Sequence, residues 1–262
     1  MVDIVIVPDV HGRKFWQDAI PYIQNGTPVV FLGDYLDPYA HEGITPEMAI
    51  DNFMDILRKT EGHDNVTLLA GNHDMTYIAP EANICECRTD YEHFDELHHL
   101  FTHNAHRFRL VHQVRRDMSV PPVTFSHAGI HPGWLKLIKD NWAEDAEVML
   151  NGTLEDILKL DKHGILTYLS HVSRERGGWN KYGSVVWADI HEFQWDDELW
   201  PGLQVVGHTQ QLKKEPTEGG WWKWVGDKPV RVQNVVCLDC HQCFYLDPDM
   251  DIRYLKDDKV VD

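Results

Sequence analysis

The chain has 262 residues, of which 43% are hydrophobic and 25% charged, a composition that excludes disorder and collagen-like structure and supplies material for a buried core. Lys plus Arg number 24 against 42 Asp plus Glu, a formal charge of −18 with the 17 histidines neutral. That balance excludes generic nucleic-acid binding, which gains its affinity by replacing condensed counterions with Lys and Arg. No run reaches the roughly 18 apolar residues of a membrane span, so no membrane partner is expected.

The start, Met1 to Val7, is apolar but carries Asp3 and has no basic leader, which predicts no secretion signal. Five cysteines, an odd number in a chain this long, do not read as a disulfide framework. The expectation is a soluble, cytoplasmic protein.

In chain order, Ile4 to Val7 reads as a strand, Lys14 to Ile23 as a helix and Val29 to Leu32 as a second strand. Pro46 to Lys59 is a helix with Thr45 as N-cap and Pro46 at its first position. A third strand follows at Val66 to Ala70, then a His-rich helical stretch from Tyr91 to Arg109, a strand at Val123 to Phe125, and helices at Trp134 to Leu150 and Thr153 to Leu160. Leu203 to Val206 is another strand, and Val230 to Tyr254 alternates as antiparallel strands. The pattern predicts an α/β sheet covered by helices. No linker rich in Pro, Gly or Ser divides it, so one domain is expected over 1–262, with helical insertions at roughly 75–120 and 132–182.

Functional groups in such a fold gather where the chain leaves the strands. The residues there are Asp9-Val10-His11-Gly12, Gly33-Asp34-Tyr35-Leu36-Asp37, Gly71-Asn72-His73-Asp74, Ser126-His127-Ala128-Gly129 and Gly207-His208-Thr209. Each motif brings Asp, Asn or His, the oxygen and nitrogen donors that Mn, Fe and Zn accept, beside glycines that permit tight turns. A single Asp-x-His reads as well as a cap on the next helix. Five such motifs, each behind an apolar run, point to one shared cation site.

In these motifs and their order the chain resembles the calcineurin-like metallophosphoesterases, within them the branch of the Ser/Thr protein phosphatases and bis(nucleosyl)-tetraphosphatases, from Asp9 to about Phe244. The resemblance implies a metallophosphoesterase-type β-sandwich of two mixed sheets flanked by helices, with the metal site at strand ends. Such a fold accommodates the antiparallel tail better than a doubly wound sheet. It implies two divalent ions, Mn, Fe or Zn, the first on Asp9 and His11, the second on Asn72, His127 and His208, with Asp34 bridging both. It also implies attack on phosphorus by a metal-bridging hydroxide, with His73 as the general acid and Asp37 orienting it and raising its pKa. The partner is then a phosphate ester, and phosphomonoester hydrolysis is the leading activity. The alternatives are a dinucleoside polyphosphate or phosphodiester hydrolase, and a non-catalytic scaffold of the same fold.

Two departures stand out. Gln210 stands where many members carry a second His in a G-H-x-H motif, and the lack of that His matches the protein-phosphatase branch. Pro38-Tyr39 follow Asp37 where protein phosphatases carry a phosphate-gripping Arg, which weakens the case for a phosphoprotein substrate. A replacement cation is expected, because Arg forks suit phosphate oxygens. Arg174 or Arg176, in Ser173 to Gly178, is the expected contact, the alternative being a surface ion pair with Glu175; His41 is a further candidate.

Three other patterns invite functional readings. Cys237-Leu238-Asp239-Cys240-His241 spells a c-type haem attachment pattern, or with Cys243 and Cys85 or Cys87 a zinc site. Haem attachment requires export, and Asn234 to Asp239 resembles the family's closing strand, so small hydrophobic strand cysteines are the preferred reading. His93, His98, His99, His103 and His106 offer imidazoles at helical spacing, but no oriented partner accompanies them, and a solvated helix is expected. Trp221, Trp222 and Trp224 lie in a Gly-flanked hairpin, where packing against the sheet is preferred over stacking on a nucleobase.

Overall fold

A computed structural model describes residues 2–80, 88–142, 150–160, 165–194, 199–216 and 222–261. Strand β1 (Ile4–Val7) leads through a 3₁₀ turn over Phe15–Ala19 into α1 (Ile20–Asn25). The helix expected from Lys14 is thus split. Pro21 sits in the first turn of α1, where its missing N–H costs nothing, and Gly26 closes the helix at φ 84°. Next come β2 (Val29–Phe31) and α2 (Pro46–Lys59). Thr45 Oγ1 accepts the Met48 N–H at 3.3 Å, the expected N-cap. Helix α2 buries Ala49, Ile50, Phe53, Ile56 and Leu57, a stripe at helical spacing. Phe53 lies between Tyr35 and Phe101, at centroid distances of 5.0 and 4.7 Å, and burying such a ring stabilises by about 1.5–3 kcal/mol.

Strand β3 (Val66–Leu69) precedes α3 (Asn72–Ile78) and α4 (Phe94–His103). The helical stretch expected to reach Arg109 stops earlier. Asn104 Nδ2 donates to the Leu100 carbonyl at 2.8 Å, and the chain turns through Ala105–Arg107 into β4 (Phe108–Arg109), which pairs with β3. The insertion expected to be helical over 75–120 therefore also holds strands, β4 and β5 (Val111–Val114), one at an edge of each sheet. Strand β6 (Val123–Ser126), α5 (Pro132–Trp142), α6 (Leu154–Leu160) and α7 (Ile165–Leu169) follow. The expected extension of α5 to Leu150 crosses 143–149, outside the described residues. The rest is β-rich: β7 (Gln204–Val206), β8 (Leu212–Pro216), β9 (Trp222–Gly226), β10 (Val230–Val232), β11 (Val235–Cys237), β12 (Phe244–Leu246) and β13 (Ile252–Tyr254).

Two mixed sheets form, ordered β13-β12-β1-β2-β3-β4 and β10-β11-β7-β6-β5, as the resemblance implies. In the first, β1 to β4 run parallel, β12 pairs antiparallel with β1, and β13 pairs antiparallel with β12; in the second, β11, β7 and β6 run parallel between antiparallel edges. Side-chain alternation explains the unbroken apolar runs. Ile4 and Ile6 point into the layer shared with Phe125, Val205 and Val236 of the second sheet, while Val5 and Val7 face Phe53, Ile56 and the helical side. A strand buried on both faces has no polar positions to alternate with. Strands β8 and β9 form a separate two-stranded ribbon. Trp224 there is 47% exposed, with the Lys214 ammonium 4.8 Å from its ring centroid, so it does not pack into a sheet. Trp221 lies outside the described residues.

Candidate metal centre

Because β1, β2 and β3 run parallel, Asp9, Asp34 and Asn72 leave the first sheet at one edge. The parallel pair β6 and β7 brings His127 and His208 out of the second sheet in the same way. Within the second sheet the Gly207 N–H donates to the His127 carbonyl at 2.9 Å, and the two sheets are tied together where His127 Nδ1 lies 2.8 Å from the Leu32 carbonyl. The turns are strained where function would place them. His11, Asp34, Asp37 and His208 all have positive φ, at 44°, 53°, 56° and 68°, a conformation that costs of order 1 kcal/mol or more per residue. Glycine is required at two contacts: a Cβ on Gly71 would lie 2.1 Å from Asp34 Oδ1, and one on Gly207 would lie 1.9 Å from Asp9 Oδ1.

Asp74 pins these loops. Its Oδ2 accepts the N–H groups of Gly71 and Asp34 at 2.8 and 2.7 Å, and its Oδ1 accepts that of Tyr35 at 3.1 Å. Sequence reasoning quoted Asp74 in its motif but gave it no role. Its signal was a buried Asp next to a turn that has several N–H groups to satisfy.

Two groups of donors result, His11 with Asp34 and His73, and Asp34 with His127 and His208. All are buried, and within each the ligand atoms lie inside 4.8 Å of one another. Asp34 belongs to both. Its Oδ2 lies 3.5 Å from His11 Nε2 and 3.5 Å from His127 Nε2. His127 Nε2 is also met by Asn72 Oδ1 and His208 Nδ1, each at 3.0 Å. One ring nitrogen can share one hydrogen at most, so a convergence of three heteroatoms on it is better satisfied by a cation. His11 Nδ1 and His127 Nδ1 face the backbone carbonyls of Leu36 and Leu32 at 2.7 and 2.8 Å; donation there leaves the Nε2 lone pairs turned to Asp34. Burial holds His11 well below the usual imidazole range despite the Asp34 charge, and burial together with the Arg176 charge does the same to His208. Neutral imidazoles beside a carboxylate are ready ligands. Burial raises Asp34, but the neighbouring imidazoles of His127, His73 and His11 and the His73 N–H outweigh it and hold the carboxyl below its ordinary value. The donor set fits divalent cations such as Mn, Fe or Zn.

Asp9 lies outside both groups. Both its oxygens accept the His208 N–H at 3.0 Å, and burial, opposed by the His127 charge and reinforced by that of Asp34, raises it to about 6. Sequence reasoning missed Asp239, at the end of β11 one strand from His208. It is fully buried, and neither carboxylate oxygen has a hydrogen-bond partner among the described residues. An unpartnered buried carboxylate is costly, and burial followed by the Asp9 charge raises this one well above the usual range. Orphaned oxygens facing this anionic corner also fit a nearby cation.

His73 Nδ1 lies 2.7 Å from Asp37 Oδ2, and Asp37 Oδ1 accepts the Tyr77 hydroxyl at 2.5 Å. Burial opposes the His73 charge, but Asp34 and the Asp37 hydrogen bond outweigh it and raise the imidazole above its ordinary value. Of the expected substrate contacts, Arg176 reaches the site loops: its Nη2 donates to the His208 carbonyl at 2.9 Å and to Thr209 Oγ1 at 2.8 Å, and its Nε lies 3.0 Å from Asp189 Oδ2. Arg174 is exposed and contacts none of the clustered residues among those described. His41 is exposed, its ring 5.7 Å from that of Tyr39. Cys237, Cys240 and Cys243 are free and buried; Cys237 Sγ donates to the Gly207 carbonyl at 3.0 Å, and burial pushes that thiol up to about 12. They are strand and loop packing groups. Cys85 and Cys87, the other ligands of the conceivable zinc site, lie outside the described residues.

The family model for calcineurin-like phosphoesterases matches residues 2–212. A search of curated proteins finds no match.

Proposed function

Because the chain belongs to the calcineurin-like phosphoesterase family, we propose that it is a metal-dependent phosphomonoesterase working at the cluster of Asp9, His11, Asp34, Asn72, His73, His127 and His208. The family consists mostly of metal-dependent phosphoesterases, and the groups that could hold metal here fit that chemistry. The sharing of Asp34 by two donor groups carries the reading. Asp9, His11 and Asp34 would hold one divalent ion, and Asp34, Asn72, His127 and His208 a second, with manganese the first choice. Bound there, the ions would supply Lewis acidity and activate water near neutral pH.

The protein's own groups do the rest. His73, whose imidazole Asp34 and the Asp37 hydrogen bond raise above its ordinary value, is the proton donor to the leaving oxygen through Nε2. Asp37 fixes the ring through Nδ1, and Tyr77 fixes Asp37. Asp74 keeps the Asp34 and Gly71 turns in register. Arg176 brings positive charge to the His208 side. The chain works as one domain over 1–262, supported by a core cluster that runs from Val5 to Tyr245. A cytoplasmic setting is supported by the free thiols of Cys237, Cys240 and Cys243. The test is turnover of an aryl phosphate, its diester and a dinucleoside tetraphosphate with Mn²⁺ present. Monoester hydrolysis is expected to dominate; diester or tetraphosphate turnover without monoester turnover overturns the assignment.

A further inference from the structure

A phosphate dianion entering this corner meets the buried carboxylates of Asp9, Asp34, Asp37 and Asp239. Even with divalent ions in place it needs further positive charge. Three guanidinium groups stand near, and they differ in how far their charge is already offset. Arg13 is buried and grips Glu42 with Nε at 2.9 and 3.1 Å and Nη2 at 2.8 Å. Arg176 lies against Asp189 at 3.0 Å.

Arg88 is different. Its Nε and Nη2 donate to the Asp37 backbone carbonyl at 3.3 and 3.0 Å, and its guanidinium carbon sits 3.6 Å from the Tyr39 ring centroid. Both partners are neutral, and no carboxylate among the described residues pairs with it. The side chain is exposed, so a charge that no carboxylate among the described residues offsets lies within reach of a solute. Stacking over an aromatic face and hydrogen bonding to a buried loop hold it in place without neutralising it.

Its position relative to the reacting groups follows from two short contact chains. Tyr39 meets the His11 ring edge-on at 5.2 Å, and His11 meets His73 at 5.1 Å. The residue whose carbonyl Arg88 grips, Asp37, also holds His73 through its carboxylate. Arg88 thus stands one residue away from both the first donor group and the expected proton donor. Pro38 and Tyr39 occupy the chain positions where a guanidinium could have been carried directly after Asp37; Tyr39 instead provides the face on which an arginine from a distant segment rests.

We infer that Arg88 binds the non-bridging oxygens of the substrate's phosphoryl group on the His11–His73 side of the site. The inference rests on the phosphomonoesterase reading above. Inorganic phosphate is the probe, measured by titration calorimetry on the Mn²⁺-loaded protein, together with KM and kcat on an aryl phosphate and metal content. Arg88→Gln is expected to weaken phosphate binding at least about tenfold, as loss of charge-assisted hydrogen bonds requires, with metal content unchanged and KM raised. Arg88→Lys should restore part of the affinity. Phosphate affinity within about twofold of wild type in Arg88→Gln, or a fall in kcat or metal content without weaker phosphate binding, overturns the inference and leaves Arg88 only a brace for the Asp37 loop. Failure of the wild-type protein to bind phosphate also overturns it. Wild-type protein that binds phosphate but hydrolyses no monoester would instead sink the functional reading, while the Arg88→Gln affinity would still decide the role of Arg88.

Discussion

Helix α4 and its flanks carry His93, His98, His99, His103 and His106 within one short stretch, whereas His11, His73, His127 and His208 come from three loops and the first turn of α3, spread across most of the chain. On α4 the rings of His99 and His103 lie 6.0 Å apart on an exposed face, His98 Nδ1 bonds the Tyr77 carbonyl at 2.6 Å, and His93 is tied to Asp90. Among the described residues no shared carboxylate joins them. The dispersed set is buried around Asp34, with His11 and His208 held neutral by burial. Sequence density of a ligand type therefore says little. Parallel strands ending at one edge bring distant donors together, and burial beside a carboxylate removes the water that would otherwise compete for them.

The contrast can be broken experimentally. The largest effect is expected for Asp34→Asn, which removes the group common to both clusters. Activity should fall by more than about a thousandfold, as loss of several kcal/mol implies, and bound metal should fall with it. His103→Ala, on the exposed helix, should change neither. Equal metal loss in both variants would erase the distinction between the two histidine sets.

Next in size is His73→Ala, expected to cost about 10²–10⁴ in kcat with metal retained, the range for a general acid. The variant also sharpens the comparison, because His73 sits in the His11–Asp34 group. Metal lost along with rate would make it a ligand instead.

A smaller effect concerns His241, a half-buried histidine that no carboxylate among the described residues pairs with. Burial, then the Arg13 and His41 charges, push it down to about 3. The unfolded chain, with an ordinary imidazole near 6.5, therefore binds more protons between those values, so stability is lost as pH falls from 6.5 toward 3. By pH 5 the His241 share is at most about 2 kcal/mol. Urea unfolding at pH 7 and pH 5 should show a shallower loss in His241→Gln than in wild type; equal losses would remove this account of His241. The smallest change is Thr45→Ala, which should cost about 1 kcal/mol through the α2 cap and leave metal content untouched.

Much of the fold and the donor set is legible in the sequence for a physical reason. Strands buried on both faces leave unbroken apolar runs, so Asp9, Asp34, Asn72, His127 and His208 each stand out just beyond one. Thr45 and Pro46 announce α2 by local chemistry alone. What stays hidden depends on contacts between distant segments. Arg88 reaches the Asp37 carbonyl across a separation of 51 residues, and nothing local marks it. Asp239 looks like any strand-end Asp until its oxygens, beside Asp9, are found without partners among the described residues. Arg174 and Arg176 share one sequence context, yet only Arg176 turns toward His208. The stretch ending at Arg109 keeps its apolar spacing through a helix, a 3₁₀ turn and a strand, so periodicity alone runs the helix too far.

The central claim is that Asp34 joins two cation sites into one phosphoesterase centre. Titrating metal-stripped protein with Mn²⁺ while following both heat of binding and aryl phosphate hydrolysis tests it most directly. The account predicts about two equivalents bound per chain, with hydrolysis appearing only as the sites fill and vanishing on chelation. Hydrolysis that persists in the stripped protein, or a chain that takes up no Mn²⁺, would contradict it.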